Sequence, residues 1–233
     1  MFLANITTLM MATAQITNPN LTDTDFNSWY NTALLPLFMT NHNASLGVRY
    51  KLIPQPTTPK PPEWQYMALY KTHENTTASP SIEDILPRAL NERDIGPNDV
   101  AIEISSWTHI QTFESLREKR GEVPAGRPKI ANVVRIEPRE GGDAELDEWY
   151  RKQHLDMLSM LPNYRRTTRY QSADGSKPRS LAVHEWDTTD MDPYVGEVLN
   201  NTELTKSVMN GILTFDSWRW DRIFEKGNLT EKL

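Results

Sequence analysis

The sequence predicts an α+β fold built from two tandem β-α-β-β-α-β units in one chain. Three observations carry that reading. The chain matches itself at a nearly fixed offset, helical periodicity alternates with strand periodicity in the same order in both halves, and the composition supports a core without covalent staples. Of 233 residues, 38% are hydrophobic and none is Cys. That is enough to bury an interior at this length, and it excludes both a disulfide scaffold and a disordered chain.

The repeat organises everything else. A shift of 120 places residues 10–51 on 130–171 without a gap, so that Ile16 meets Ile136, Asp23 meets Asp143, Trp29-Tyr30 meet Trp149-Tyr150, Leu35 meets Leu155 and Arg49-Tyr50 meet Arg169-Tyr170. Ala68 to Lys71 pairs with His184 to Asp187 at a shift of 116, and Ser106 to Glu114 pairs with Ser217 to Glu225 at 111. Element order is kept and loops change length.

In the first half a strand runs from about Met10 to Thr17. Thr22 and Asp25 form a capping box that opens a helix reaching about Asn41. Strands follow near Leu46–Ile53 and Tyr66–Lys71, joined by a loop whose Pro54, Pro56, Pro59, Pro61 and Pro62 forbid a tight turn. Ser81 to Leu90 reads as a helix that Pro87 kinks or stops, and Ala101 to Phe113 closes the unit. In the second half Ile130 to Ile136 is β-branched. Asp143 is placed as N-cap of a helix whose apolar stripe is Leu146, Trp149/Tyr150, His154, Met157 and Leu161, ended by Pro162. Arg166 to Gln171 and Leu181 to Asp187 form a hairpin around Asp174-Gly175. A helix near Asp192–Val208 and a strand from Phe215 to Phe224 finish the chain.

This order is the ferredoxin-like split βαβ motif. The expected domains are residues 1–118, a polar linker at 119–128, and 129–233. Each sheet needs cover on the face its helices leave bare, and a second copy of the sheet supplies it, so a pseudo-dimer inside one chain is expected.

The net charge of −6 and the absence of any basic arm argue against a nucleic-acid partner. Met1 to Ile16 lacks a basic leader and a small-residue cleavage site, and no run approaches the ~18 apolar residues that span a bilayer, so a soluble, cytoplasmic protein without membrane partners is expected. Without Cys, thiolate catalysis and Cys-ligated zinc are excluded. No His-x-x-x-His, phosphate-cradling glycine loop or Gly-x-Ser-x-Gly elbow occurs, so neither metal nor cofactor is expected.

The helix Asp147-Glu148-Trp149-Tyr150-Arg151-Lys152-Gln153-His154, followed by Leu161-Pro162-Asn163-Tyr164 and Arg169-Tyr170-Gln171, resembles the EthD-type signature of the dimeric α+β barrel superfamily. The first half resembles it less, with Leu34 where the helix His stands. Tandem single-chain forms resemble fungal proteins encoded with natural-product pathways. The resemblance implies a cavity between helices and sheet in each unit. It also implies an activity among cofactor-free cyclases, decarboxylases, dehydratases, isomerases and quinone-forming monooxygenases.

His154 lies on an otherwise apolar stripe, where an imidazole either finds partners or loses basicity through desolvation; it is the first candidate for a general base near neutral pH. Tyr150, one turn earlier, is the candidate phenol donor. His184 shares a strand face with Trp186 and Ala182 and is the third catalytic candidate. Arg169 is the candidate anchor for a carboxylate or enolate. The remaining members of the Arg165, Arg166, Lys177 and Arg179 group read as a solvated edge. His109, Trp149, Tyr170, Trp186 and Trp218 are candidate substrate contacts, for which core packing is the plain alternative. His42 and His73 read as solvated. The expected partner is a hydrophobic small molecule, and pairing of two chains is left open. The leading expectation is proton-transfer chemistry on an enolisable polyketide-like substrate. The alternatives are a cofactor-independent monooxygenase of a phenol and a non-catalytic binding protein.

Overall fold

The computed structural model describes residues 7–54, 63–73, 82–91, 95–190 and 193–233. The proline-rich stretch 55–62 lies outside them. So does the side chain of His73.

The elements follow the expected order in both halves. The first half holds β1 (Thr7–Ile16), α1 (Asp23–Trp29), a π-helical turn (Tyr30–Leu34), α2 (Leu35–Asn41), β2 (Ala44–Leu52), β3 (Tyr66–His73), α3 (Ile82–Leu90) and β4 (Val100–Glu114). A short α4 (Leu116–Arg120) follows. The second half holds β5 (Ile130–Pro138), α5 (Asp143–Trp149), a second π-helical turn (Tyr150–His154), α6 (Leu155–Ser159), β6 (Tyr164–Ser172), β7 (Ser180–Trp186), α7 (Pro193–Asn200), α8 (Glu203–Asn210) and β8 (Ile212–Gly227). The chain forms two compact units, residues 1–108 with 221–233, and residues 109–220. Hydrogen-bonded strand order is β1-β3-β2-β8-β5-β7-β6-β4, which closes on itself. The ladders β1·β3, β1·β4, β2·β3, β5·β7 and β6·β7 are antiparallel.

Local chemistry explains the boundaries. Thr22 caps α1 by accepting the Asp25 backbone N–H at 3.1 Å, as its spacing predicts. The cap of α5 is Gly142, one residue before the expected Asp143. That carboxylate sits in the first turn, facing the helix dipole, and pairs with Arg179 at 3.2 Å. Pro87 does not stop α3, which runs on to Leu90. The single helix expected over 192–208 is two, because Thr202 caps a new start by accepting the Thr205 N–H at 3.1 Å. Asn200-Asn201-Thr202 are weak helix formers that favour such a break.

The offsets between the halves hold for some elements and shift for two strand pairs. Both π turns fall 120 residues apart, as do α1 and α5, and β2 and β6. In β3 and β7, however, Gly47 lies opposite Tyr70, and Thr167 opposite His184. The counterpart of His184 is therefore Tyr70, not Ala68, at an offset of 114. Likewise Met10 faces Tyr70 and Asn132 faces His184, so β1 maps on β5 at 122 rather than 120. Both slips are two residues, one pleat, which preserves the face of every side chain and so leaves the alternation unchanged.

Among the described residues, the interior of the first unit is packed with aromatic side chains. Phe26, Trp29, Tyr30, Leu34, Phe38, Tyr66 and Tyr70 are buried in one cluster with Ile85 and Ala89 of α3. His42, expected in water, is buried against the Phe38 ring at 4.4 Å with neither ring nitrogen hydrogen-bonded. Desolvation lowers its pKa.

Candidate active site

In the second unit a cavity of about 130 Å³ lies between the helical layer and the sheet. Its walls come from β5 (Asn132, Val134, Ile136), from the π turn and its flanks (Trp149, Tyr150, His154, Leu158), from β7 (His184, Trp186), from α7 and α8 (Leu199, Thr205, Met209) and from β8 (Phe215, Ser217, Arg219). The size is that of a site for a single ring, since cavities of ~150 Å³ hold benzene.

The π turn sets the helical side. An α-helix closes on i−4, but here the Leu155 N–H reaches Tyr150 O, so five residues share one turn. Trp149 is pinned beneath α8 by its indole N–H, which donates to Thr205 Oγ1 at 2.9 Å. The His154 ring stacks on Trp149 at 4.1 Å and meets the Tyr150 ring edge-on at 5.5 Å. Across the cavity His184 stands edge-on to His154 at 5.9 Å. Sequence alternation places His184 and Trp186 on one face, and the structure brings both to this cavity with His154, Tyr150 and Trp149.

Electrostatics keep both imidazoles neutral. Desolvation lowers the His154 pKa to about 4, and the Arg169 charge lowers it further. His184 falls to about 3 from desolvation, with His154 and Arg169 adding to it. His154 is thus uncharged well below neutrality, a weaker base than one poised near pH 7. The Tyr150 phenol is pushed up to about 12 by burial. His184 is the tethered member of the pair, its Nδ1 lying 2.6 Å from Thr167 Oγ1. His154 Nδ1 is buried without a hydrogen-bond partner.

Other candidates fall elsewhere. Arg169 is buried, with its guanidinium 4.2 Å from the Tyr150 ring and bonds to Asp147 (2.8 Å) and Gln111 (3.1 Å). It acts on the imidazoles through its charge rather than by lining their cavity. With Tyr170 it lines a separate polar cleft of about 370 Å³ that also holds Asp143, Arg151 and Arg179. That cleft is larger, but its cations are each paired with a carboxylate, Arg151 and Arg169 with Asp147, Arg179 with Glu137 and Asp143. It therefore has little net pull on an anion. His109 is exposed, bonds Thr112 at 3.0 Å and meets the Tyr170 ring edge-on at 5.9 Å. Neither His109 nor Trp218 lines the imidazole cavity.

Of the expected solvated edge, Lys177 is exposed and Arg179 half-buried, but Arg165 and Arg166 are buried. Arg165 pairs with Glu118 (2.9 Å) and Asp187 (2.7 Å), and Arg166 pairs with Glu118 (3.1 Å) and Glu185 (2.5 Å). Glu118 comes from α4, immediately before the stretch read as a polar linker.

Sequence reading missed Thr167, Tyr164, Asn132, Ser217 and Arg219. Polar residues in strands carry no signal of their own, but once the register is known Thr167 and Asn132 flank His184 on the same face. Among the described residues no group of three or more His, Asp or Glu comes within reach of one ion, and no helix is long and apolar enough to cross a membrane.

The closed eight-stranded order has its likeness among solved structures. The chain is similar in fold to an anthrone oxidase-like protein (TM-score 0.56, 11% identity, 99% of this chain and 96% of that one). It is similar as well to a candidate monooxygenase from Lactobacillus acidophilus NCFM (TM-score 0.54, 9% identity, 95% and 96%). In sequence it resembles core atranone cluster protein 1 of Stachybotrys chlorohalonatus (strain IBT 40285), with 27% identity over 213 residues, 79% of this chain and 84% of that protein. No protein-family model matches the sequence.

Proposed function

We propose that the protein is an enzyme of secondary metabolism that uses the His154–His184 cavity to remove a proton from an enolisable or phenolic ring of a polyketide-like substrate. The observation that carries this reading is two neutral imidazoles facing each other across a cavity otherwise walled largely by Trp, Tyr and aliphatic side chains. In a dry site an anion forming beside a newly protonated imidazole gains far more from the pairing than it would in water, which offsets the low resting basicity. His154 takes the proton and the resulting enolate or phenolate reacts on by cyclisation, by loss of water or by return of the proton elsewhere; in a decarboxylation the carboxylate's electron pair passes into an adjacent carbonyl as carbon dioxide leaves, and a protonated imidazole returns a proton to the carbon. The resemblance to a protein of a fungal atranone cluster supports the metabolic setting, and the two halves are read as diverged copies of one ferredoxin-like unit.

A second reading shares the first step. The likeness to an oxidase-like protein and a candidate monooxygenase favours it. Here the carbanion reduces dioxygen, so that a ring CH₂ and O₂ become C=O and water.

Deleting the gene in its host and comparing extracts by high-resolution mass spectrometry tests both. A precursor–product pair differing by water, carbon dioxide or nothing supports the first reading. A product that gains one oxygen and loses two hydrogens supports the second, and unchanged extracts overturn both.

A further inference from the structure

We propose that Thr167, held by Tyr164, is a positioning residue that fixes His184 as an Nε2–H donor, giving the two imidazoles separate tasks on a substrate oxygen and its acidic proton. The inference rests on the reading of this cavity as a proton-transfer site.

Counting the protons of the hydroxyl pair fixes the tautomer. The Tyr164 hydroxyl donates to Thr167 Oγ1 at 2.8 Å. Thr167 is fully buried, and its remaining contact is His184 Nδ1 at 2.6 Å. A hydroxyl has one proton and two lone pairs, so Thr167, having accepted from Tyr164, satisfies its own proton only by donating to Nδ1. Nδ1 is then an acceptor, and neutral His184 carries its hydrogen on Nε2. The reversed circuit would send the Tyr164 proton to the Phe113 carbonyl at 3.4 Å, beyond the 2.5–3.0 Å usual for O–H···O bonds. His154 Nδ1 has no such tether. The locked ring is built to donate and the untethered ring to accept and release.

The repeat sharpens the point. Where the second unit pairs Thr167 with His184, the first pairs Gly47 with Tyr70. A Cβ on Gly47 would lie 3.2 Å from Met39 Sδ and in ordinary contact, at 3.4 Å, with the Tyr70 ring. The Tyr70 hydroxyl is joined to Tyr30 at 3.0 Å. The hydroxyl behind the ring accompanies the imidazole and is absent where the ring is a phenol.

The test is long-range ¹H–¹⁵N spectroscopy of the histidines at pH 7 in the ligand-free protein, with Thr167→Val, Thr167→Ser and Thr167→Ala. The expected result is an unprotonated Nδ1 and a protonated Nε2 on His184 in wild type, a tautomer mixture in the Val and Ala variants, and restoration by Ser. An Nδ1–H tautomer in wild type, or no change in the folded Val or Ala variant, overturns the proposal. Phenol and benzene then serve as probes. Phenol affinity should fall about tenfold in Thr167→Val and recover within twofold in Thr167→Ser, with benzene unchanged throughout. Equal loss of both probes, or no loss of phenol, overturns the donor role. Neither readout needs turnover. A positive result beside unchanged extracts from the deletion strain would uphold this assignment while sinking the proposed reaction.

Discussion

At His154 and His184 burial competes with protonation and wins. Lowered pKa values mean that the unfolded chain, with histidines near 6.5, binds more protons than the native one between about pH 6.5 and 4. Their contribution to stability is complete above about pH 6.5 and is lost as pH falls towards 4 and then 3, with a limiting slope of about 1.4 kcal/mol per pH unit for each ring. His42 acts in the same direction. Urea midpoints should therefore drop between pH 7 and 5, and more shallowly in His154→Gln; a midpoint independent of pH would refute the desolvation argument. Catalysis follows the same value with the opposite emphasis. A base titrating at about 4 is already free at pH 5, so kcat/KM for the proton transfer should stay level from pH 8 to 5. His154→Ala should cost about 10²–10⁴-fold in rate while preserving the circular dichroism spectrum. A rate that rises through pH 6.5 would mean the imidazole is far better solvated than its surroundings imply. The sequence exposed this residue because a lone His on an apolar stripe, opposite Leu34 in the other half, is conspicuous. It hid Thr167, because an unremarkable strand Thr acquires meaning only from the ring across the ladder.

Elements of this chain were readable wherever one local rule dominated. The Thr22 cap, the Trp-Tyr helices and the alternating strands all obeyed local rules. Neither π turn left a trace in the 3.6-residue stripe, since one extra residue per turn barely alters a short apolar pattern. The strand offsets failed by one pleat for the same physical reason that strands slip. Glu118, at the edge of the expected polar linker, carried no signal of burial in the sequence, yet it is drawn inward by Arg165 and Arg166. That cluster joins α4, β6 and β7, with Arg127 4.0 Å from Glu185 and both side chains almost wholly buried. Neutralising Glu185 removes one of the two carboxylates that balance the buried Arg166 guanidinium. Glu185→Gln should lower unfolding stability by roughly 3–5 kcal/mol by analogy with broken buried ion pairs. Denaturation at two salt concentrations checks the assignment, because a buried pair is screened far less than a surface one. A loss under 1 kcal/mol would place the cluster in effective contact with water.

Across the whole molecule, one sequence pattern has been used for two purposes. The first unit closes its interior with Tyr70 over Gly47 and stacks Phe38 on that ring at 4.5 Å. The second places smaller or more polar groups, Thr167, His184 and Leu158, at the matching positions and keeps a cavity. Both halves retain the arginine over the tyrosine ring, Arg49 on Tyr30 at 4.0 Å and Arg169 on Tyr150 at 4.2 Å. The stack is therefore a feature of the scaffold and not by itself a mark of catalysis. The partners of those arginines differ, two Asn side chains for Arg49 against the Asp147 carboxylate for Arg169. If chemistry belongs to the second unit alone, Tyr70→Phe should remove only the Tyr30 hydrogen bond, at about 1–3 kcal/mol for the phenol left unpaired. Product titre in a complemented deletion strain should stay within twofold. His184→Ala, in the same assay, should lower it at least a hundredfold. Equal losses from both variants would mean that the phenol pair of the first unit takes part in turnover, and the packed interior would have to be read as a second site.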